Sequence, residues 1–220
     1  VPHKQRVLAL VDELDASATT VGAANTLVRS GTGRIIAYNT DAPALAEELR
    51  RLRGRGVAWT GARGLVLGSG GAARAAIAAL AELEVGEIVV RARAFGDAER
   101  RDRFTQAVST RVTLQPWRPS ASSEGTTFAI VQATSAGMNG ADAGELVAGA
   151  VDWNTLPGEA VAIDVVYAPR DTPFLRAARG RGLCCDDGLG MLAHQGALAL
   201  ELWLGVRAPL DLMRAAIESE

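Results

Sequence analysis

Apolar positions in the first fifty residues follow two different periods. Val7, Leu8, Leu10, Val11 and Leu14 recur at helical spacing with Asp12 and Glu13 on another face, which predicts an amphipathic helix over residues 2–14. Two β-rich runs follow, 23–29 and 34–39, joined by the turn-forming Ser30-Gly31-Thr32-Gly33, and they predict a hairpin. Ala44, Leu45, Leu49 and Leu52 return to helical spacing and predict a second helix. The Gly- and Arg-rich stretch 54–64 closes that helix and reads as a linker between two domains.

Beyond residue 64, short apolar runs alternate with helical patterns. Strands are expected at 65–67, 87–91, 112–115, 128–133 and 161–166, with helices at 72–83 and 97–107 between them. Such alternation predicts parallel βαβ units in a doubly wound α/β sheet. A short strand is expected after Gly182. Leu189, Leu192, Ala199, Leu200 and Trp203 mark a long helix, and Pro209 stands near the start of a last one. There is no internal repeat.

Composition narrows the function classes. The 220 residues are 48% hydrophobic and 22% charged, the balance of a soluble globular chain with one large or two small cores. A net charge of −2 leaves no footprint for a phosphate backbone, Arg50, Arg51, Arg53 and Arg55 being a short basic run, so nucleic acid is not expected as a partner. The longest apolar runs, such as 160–167 with Asp164 inside it, fall far short of the ~20 residues of a bilayer span, and no membrane association is expected. Cys184 and Cys185 are adjacent, where disulfide geometry is rarely reached, so a reducing cytoplasmic location is expected. The chain opens on Val1 rather than Met, and Val1-Pro2-His3-Lys4 reads as the middle of a motif, so a truncated chain is expected.

Candidate chemistry begins where Leu65-Val66-Leu67 runs into Gly68-Ser69-Gly70-Gly71-Ala72-Ala73-Arg74. A buried strand that ends in glycines and passes at once into a helix brings backbone N–H groups and the positive helix end to a pyrophosphate. Gly68, Ser69, Gly70, Gly71 and Ala72 are therefore candidate cofactor residues. The next strand ends in Arg91-Ala92-Arg93 with no acidic residue, which favours the 2′-phosphate of NADP over the free ribose hydroxyl of NAD. Arg91 and Arg93 read alternatively as solvated strand-end arginines. Likewise, taken alone, Lys4 reads as a surface lysine and Asp41 as a helix cap ahead of Ala42-Pro43. His3 and His194 lack a third ligand at metal spacing, so both read as structural and no metal is expected.

Several separated segments point to one family. Val1-Pro2-His3-Lys4, Gly22-Ala23-Ala24-Asn25-Thr26, Asn39-Thr40-Asp41, the 68–74 loop, Ala133-Thr134-Ser135-Ala136-Gly137-Met138, Asp164 to Tyr167 with Thr172-Pro173, and Asp187-Gly188-Leu189-Gly190-Met191 with Gln195 occur in one order. In that order they resemble the shikimate dehydrogenases. The resemblance implies a Rossmann-type doubly wound parallel sheet, residues 42–187, that binds NADP(H). It also implies a partial α/β substrate-binding domain, residues 1–41, to which C-terminal helices, 188–220, return. It implies reversible reduction of 3-dehydroshikimate to shikimate in the pathway to the aromatic amino acids. Lys4 and Asp41 would be the catalytic pair, a positioned ammonium giving the carbonyl oxygen its proton while a carboxylate holds that ammonium. Asn25, Tyr167 and Gln195 match substrate positions, amides suiting hydroxyl groups because they both donate and accept. Thr134, Ala136, Met138 and Met191 would lie along the cofactor. A monomer or a homodimer is compatible with the resemblance.

The chain also departs from the family pattern. The family's earlier segment, with a pair of serines for the substrate carboxylate, and a threonine expected ahead of Val1 are absent. Gln132 stands where asparagine is usual, and Arg91-Ala92-Arg93 replaces Asn-Arg-Thr. Two rival expectations are a quinate or quinate/shikimate dehydrogenase using NAD, and a catalytically silent nucleotide-binding protein of the same fold.

Overall fold

Six strands, β4 (Arg63–Leu67), β5 (Glu87–Ala92), β6 (Thr113–Pro116), β7 (Thr127–Gln132), β8 (Val161–Asp164) and β9 (Cys184–Asp186), form one sheet in a computed structural model that describes residues 3–54, 58–117 and 124–219. Their order is β6-β5-β4-β7-β8-β9 and every pairing is parallel. Val1 and Pro2 of the opening motif and Arg55 of the basic run lie outside the described residues.

The sheet is apolar on both faces, which is why its strands read as unbroken hydrophobic runs. Alternate residues point to opposite sides. Val66, Val90, Val131 and Ile163 join one core cluster, under α2 (Asp41–Arg53) and α3 (Gly71–Glu82). Leu65, Val89, Ile130 and Ala162 join the other, under α5 (Glu145–Ala148) and α6 (Pro173–Gly180). α4 (Ala98–Gln106) follows β5 and sends Phe104 into the first cluster, edge-on to Phe95 at 5.1 Å.

A separate three-stranded sheet precedes it. β2 (Thr26–Arg29) and β3 (Ile35–Tyr38) form the expected antiparallel hairpin, and β1 (Glu13–Leu14) pairs parallel with β3. Here the structure corrects the expected helix over 2–14. Only a 3-10 turn forms, Arg6–Leu10, and the chain then extends into β1. The carboxylate of Asp12 accepts the backbone N–H of Ile35 at 2.7 Å, and Asp15 caps α1 (Ala16–Val21) through Ser17 N at 2.8 Å. These two side chains compete with helix hydrogen bonding, while Val7, Leu8 and Val11 still pack on the small core of Ala18, Ala24 and Ala37.

The stretch expected to be a linker is packed where it is described: Trp59 is buried, with the Arg53 guanidinium 4.4 Å over its ring. α2 leads from the small sheet into the large one, and α7 (Leu189–Leu204) packs beside it before α8 (Leu210–Glu218). A ligand cleft is expected where neighbouring strands are connected in opposite directions. Here that point lies at the C-terminal ends of β4 and β7, facing the small sheet.

Candidate active site

The loop after β4 is shaped by one glycine. Gly68 has φ of +126°, and a Cβ there would stand 2.8 Å from the carbonyl oxygen of Ala133, at the end of the neighbouring strand. Only glycine lets the two strand ends close this tightly. A Cβ at Gly70 would meet nothing within 4 Å, so that backbone faces open space directly ahead of α3. The free N–H groups of the first turn of α3 point the same way. A pyrophosphate fits this cradle.

Across the sheet, the loop after β7 is folded by Gln132, which is fully buried. Its amide nitrogen donates to the carbonyls of Ala136 (3.0 Å) and Thr134 (3.3 Å), and its oxygen accepts the Thr134 N–H at 2.6 Å. The departure from asparagine thus keeps a loop-organising amide at this place. Ala136 is correspondingly turned into the core behind the loop and does not line the cleft, which corrects its assignment as a cofactor contact.

A cavity of about 880 Å³ runs along these loops. Gly68, Ser69, Gly70, Gly71, Ala72, Thr134 and Met138 line its middle. At one end stand Lys4, Asp41, Tyr167, Met191 and Gln195, and at the other Arg93, Arg100 and Trp117. The expected site residues are thereby brought to one cleft, with three exceptions, Ala136, Arg91 and Asn25.

Arg91 is the principal correction. Its side chain is 2% exposed and turned into the interior, where it donates to Glu124 (2.6 Å), Gln115 (2.8 Å) and the Ala150 carbonyl (2.9 Å). Its Nε and Nη1 donors are taken up by the fold and the side chain does not line the cavity, so Arg91 is withdrawn from cofactor contact. The end of β5 explains the difference: strand alternation would set Arg91 and Arg93, two residues apart, on one face, but β5 ends at Ala92 and a 3-10 turn, Arg93–Gly96, carries Arg93 out to solvent. Asn25 also stands back from the cavity. Its NH₂ lies 2.9 Å from Thr40 Oγ1, 2.9 Å from Asp41 Oδ1 and 3.1 Å from Gln195 Oε1. Two hydrogens among three acceptors make it a junction between Asp41 and Gln195.

Lys4 and Asp41 meet directly. The ammonium donates to Asp41 Oδ2 at 2.5 Å, with the carboxylate 6% exposed and the lysine 29% exposed. Asp41 is the first residue of α2, where a negative charge is favoured by the helix dipole. Lys4 is held by a backbone bond from Ala24 N to its carbonyl (2.8 Å) and lies along the start of α3, 3.6 Å from where a Gly71 Cβ would be. An ammonium, a carboxylate and an amide with a largely free NH₂, Gln195, thus border the glycine loop. This set can bind a polyhydroxylated ligand and pass a proton to it.

The other wall rests on Asp164, fully buried at the end of β8, which accepts the Thr172 hydroxyl (2.6 Å) and Val166 N–H (2.9 Å). Burial pushes its carboxyl up to about 6. Gly188, before α7, approaches so closely that a Cβ would be 2.4 Å from the Val165 carbonyl. His194 lies 3.4 Å from Glu48, away from the cavity, and burial pushes its imidazole below the usual value. Among the described residues no cluster of three or more His, Cys, Asp or Glu could hold a metal ion, and no helix is long and apolar enough to cross a membrane. Arg100 belongs to the arginine-rich stretch 91–103, which the sequence leaves open between a solvated helix face and a phosphate grip. Trp117 escaped the sequence reading; its signal was position alone, just beyond the C-terminal end of a parallel strand, where such sheets bind ligands.

A family model described as the shikimate 5′-dehydrogenase C-terminal domain matches residues 188–218. The NADP(+) shikimate dehydrogenase of Methylobacterium radiotolerans is 40% identical over 210 residues, 94% of this chain and 71% of that protein. The crystal structure of shikimate 5-dehydrogenase from Thermus thermophilus in complex with NADP(H) and shikimate is 33% identical, with a TM-score of 0.77 over 100% of this chain and 76% of that one. Quinate dehydrogenase from Corynebacterium glutamicum in complex with NAD is 30% identical, with a TM-score of 0.81 over 100% and 76%. With the Rossmann-type sheet, the glycine loop and the Lys4–Asp41 pair already in place, these likenesses settle the family: the chain belongs to the shikimate dehydrogenases.

Proposed function

We propose that the protein reduces 3-dehydroshikimate to shikimate with NADPH, and catalyses the reverse reaction with NADP. The observation that carries this reading is the 2.5 Å contact between Lys4 and Asp41 in the same cavity as the glycine loop. NADPH, when bound, supplies the hydride. The residues of this chain bind, orient and move one proton. The backbone of residues 68–72 and the start of α3 receive the pyrophosphate, and Thr134, Met138 and Met191 flank the rest of the cofactor. Arg93 stands at the end of the cavity where a 2′-phosphate would lie. Lys4 Nζ gives its proton to the substrate oxygen as that oxygen becomes an alkoxide, and takes it back in the reverse direction.

Asp41 keeps the ammonium aimed, and Asn25, itself bonded to the Thr40 hydroxyl, keeps Asp41 aimed. Gln195 and Tyr167 offer hydrogen bonds to ring hydroxyls. In this assignment residues 1–41 and 188–220 form the substrate side and 42–187 the nucleotide side. The quinate dehydrogenase likeness keeps a second reading in view, quinate oxidation with NAD, which an acidic residue after β5 would have favoured; Arg93 stands there instead.

The test is absorbance at the reduced-nicotinamide band, with shikimate or quinate and NADP or NAD. Shikimate with NADP is the pair expected to turn over, and Lys4→Ala is expected to lower kcat by about 10²-fold or more, as loss of a general acid/base does. Binding of NADP without turnover would make the protein a silent binder, and faster turnover of quinate with NAD would favour the second reading.

A further inference from the structure

Arg74 closes the glycine motif in the first turn of α3, yet its side chain does not line the cavity. It crosses the seam between the two sheets, where its Nη1 donates to the carbonyl of Gly22 at 3.0 Å. Its Nε is buried without a hydrogen-bond partner, and burial alone pushes the guanidinium below its usual value. Among the described residues no carboxylate pairs with it. Withdrawing an unpaired cation from water is costly, and the seam has other packing: Val21, Ala23, Ala42 and Ala75 form an apolar cluster there.

The carbonyl that Arg74 grips heads a strip that holds the proton-transfer pair. Gly22 ends α1 with φ of +64°, and a Cβ there would stand 2.9 Å from Arg74 Nη1 and 3.0 Å from the Ala107 carbonyl. The next residue, Ala23, accepts the Asn39 amide at 2.9 Å, and Asn39 caps the first turn of α2 through Ala42 N at 3.1 Å. Ala24 N–H donates to the Lys4 carbonyl at 2.8 Å. Asn25 donates to Asp41 Oδ1 and accepts the Thr40 N–H, both at 2.9 Å. We infer that Arg74 is a positioning residue for proton transfer, a strap from the helix that begins at the glycine loop to the strip 22–25. It sets Lys4 and Asp41 in register with the cofactor. Hydride and proton reach one carbonyl group from opposite sides of the seam, so the strap acts on kcat rather than on nucleotide affinity. This inference rests on the reading of Lys4 as proton donor proposed above.

Turnover of shikimate with NADP and calorimetric binding of NADP are compared for the wild-type chain, Arg74→Met, Lys4→Ala and the double variant. Arg74→Met is expected to bind NADP with a Kd within about threefold of wild type and to lose about 10-fold in kcat, part of the roughly 10²-fold that an ångström of misplacement costs. In the Lys4→Ala background the same substitution is expected to cost less than about twofold, because the group it positions is gone. Ser109→Ala, which removes another bond across the seam, to the Thr20 carbonyl at 3.0 Å, is expected to keep kcat within about twofold of wild type. Wild-type kcat in Arg74→Met, equal losses in both backgrounds, or an equal loss in Ser109→Ala overturns the strap. A loss of NADP affinity that parallels the loss of kcat also overturns it, making Arg74 a support of the glycine loop. If Arg74→Met does not fold, Arg74→Lys, a shorter arm with the same charge, repeats the comparison: a loss of about threefold or more confined to the chain with Lys4 supports the strap, and wild-type kcat overturns it. Wild-type kcat in Lys4→Ala removes the proton-transfer reading itself and the strap with it, whereas failure of Arg74→Met alone leaves that reading standing.

Discussion

Asp164 shows how one buried carboxyl ties the cleft wall to the stability of the fold. It is fully buried at the end of β8, and burial lifts it from 3.8 to about 6, against the opposite pull of the Thr172 hydroxyl and the Val166 N–H. The native state therefore binds this proton more tightly than the unfolded chain does. The group's contribution is fully present below about pH 4 and is lost as pH rises through 6, because over that window the unfolded chain has already released the proton. The two values differ by about two pH units, which corresponds to roughly 3 kcal/mol at most. Asp164→Asn carries no such titration. Its unfolding free energy relative to wild type, read from urea denaturation at a series of pH values, is expected to rise by up to that amount between pH 4 and 7. A constant difference across the series would mean that Asp164 ionises like a solvated carboxyl. Thr172, which donates to Asp164 and caps α6 through Leu175 N at 3.2 Å, passes the same constraint into a helix.

Among the elements, α8 has no buried residue and is fastened by charge. Its Arg214 reaches Glu48 of α2, a carboxylate 4% exposed that also accepts Arg51 at 2.9 Å, while Arg51 pairs with Asp186 at the end of β9. A buried carboxylate with two cations is costly to break from one side, because the remaining charges lose their partner. Glu48→Ala is expected to destabilise the protein by about 2–3 kcal/mol, reduced from the fully buried case because Arg51 is partly solvated, whereas Arg50→Ala on the exposed rim is expected to change it by under 1 kcal/mol. Urea midpoints at constant slope decide this, and equal effects of the two substitutions would dismiss Glu48 as a fastening. Such a junction was not legible in the sequence, since Glu48 and Arg214 stand 166 positions apart and their residue types alone read as solvated. The Rossmann-type alternation was legible because both sheet faces are buried, leaving unbroken apolar strands between amphipathic helices. α6 was overlooked although Thr172-Pro173, a cap followed by proline in the first turn, announces it. The helix expected over 2–14 failed for a long-range reason: β3 offers Ile35 and Ala37 to the backbone of residues 12–15, and pairing outweighs local period. Arg91 failed similarly, because nothing in its neighbourhood tells that Glu124 waits beneath it.

At the scale of the whole molecule, the cleft joins two jobs that the chain draws from different sheets. The glycine loop, the Gln132-folded loop and the arginines belong to the six-stranded sheet, while Lys4, Asn25 and Asp41 are set by the small sheet and the start of α2. The two sets touch where the alkyl chain of Lys4 lies along the first turn of α3, and α1 packs on α3 through Val21 and Ala75. The Lys4 ammonium itself is spent on Asp41, so its removal should cost proton transfer far more than nucleotide binding. A ligand that binds only the native state stabilises it by about 2.7 kcal/mol at a hundred times its Kd. For a chain of this size each kcal/mol moves Tm by roughly 2–4 °C, so NADP at that concentration is expected to raise Tm by about 5–11 °C. Lys4→Ala is expected to show the same rise, within about 2 °C, while losing turnover. If thermal denaturation instead shows the NADP shift collapsing in Lys4→Ala, the ammonium holds the nucleotide as well as the substrate, and the division of labour between the two sheets is wrong.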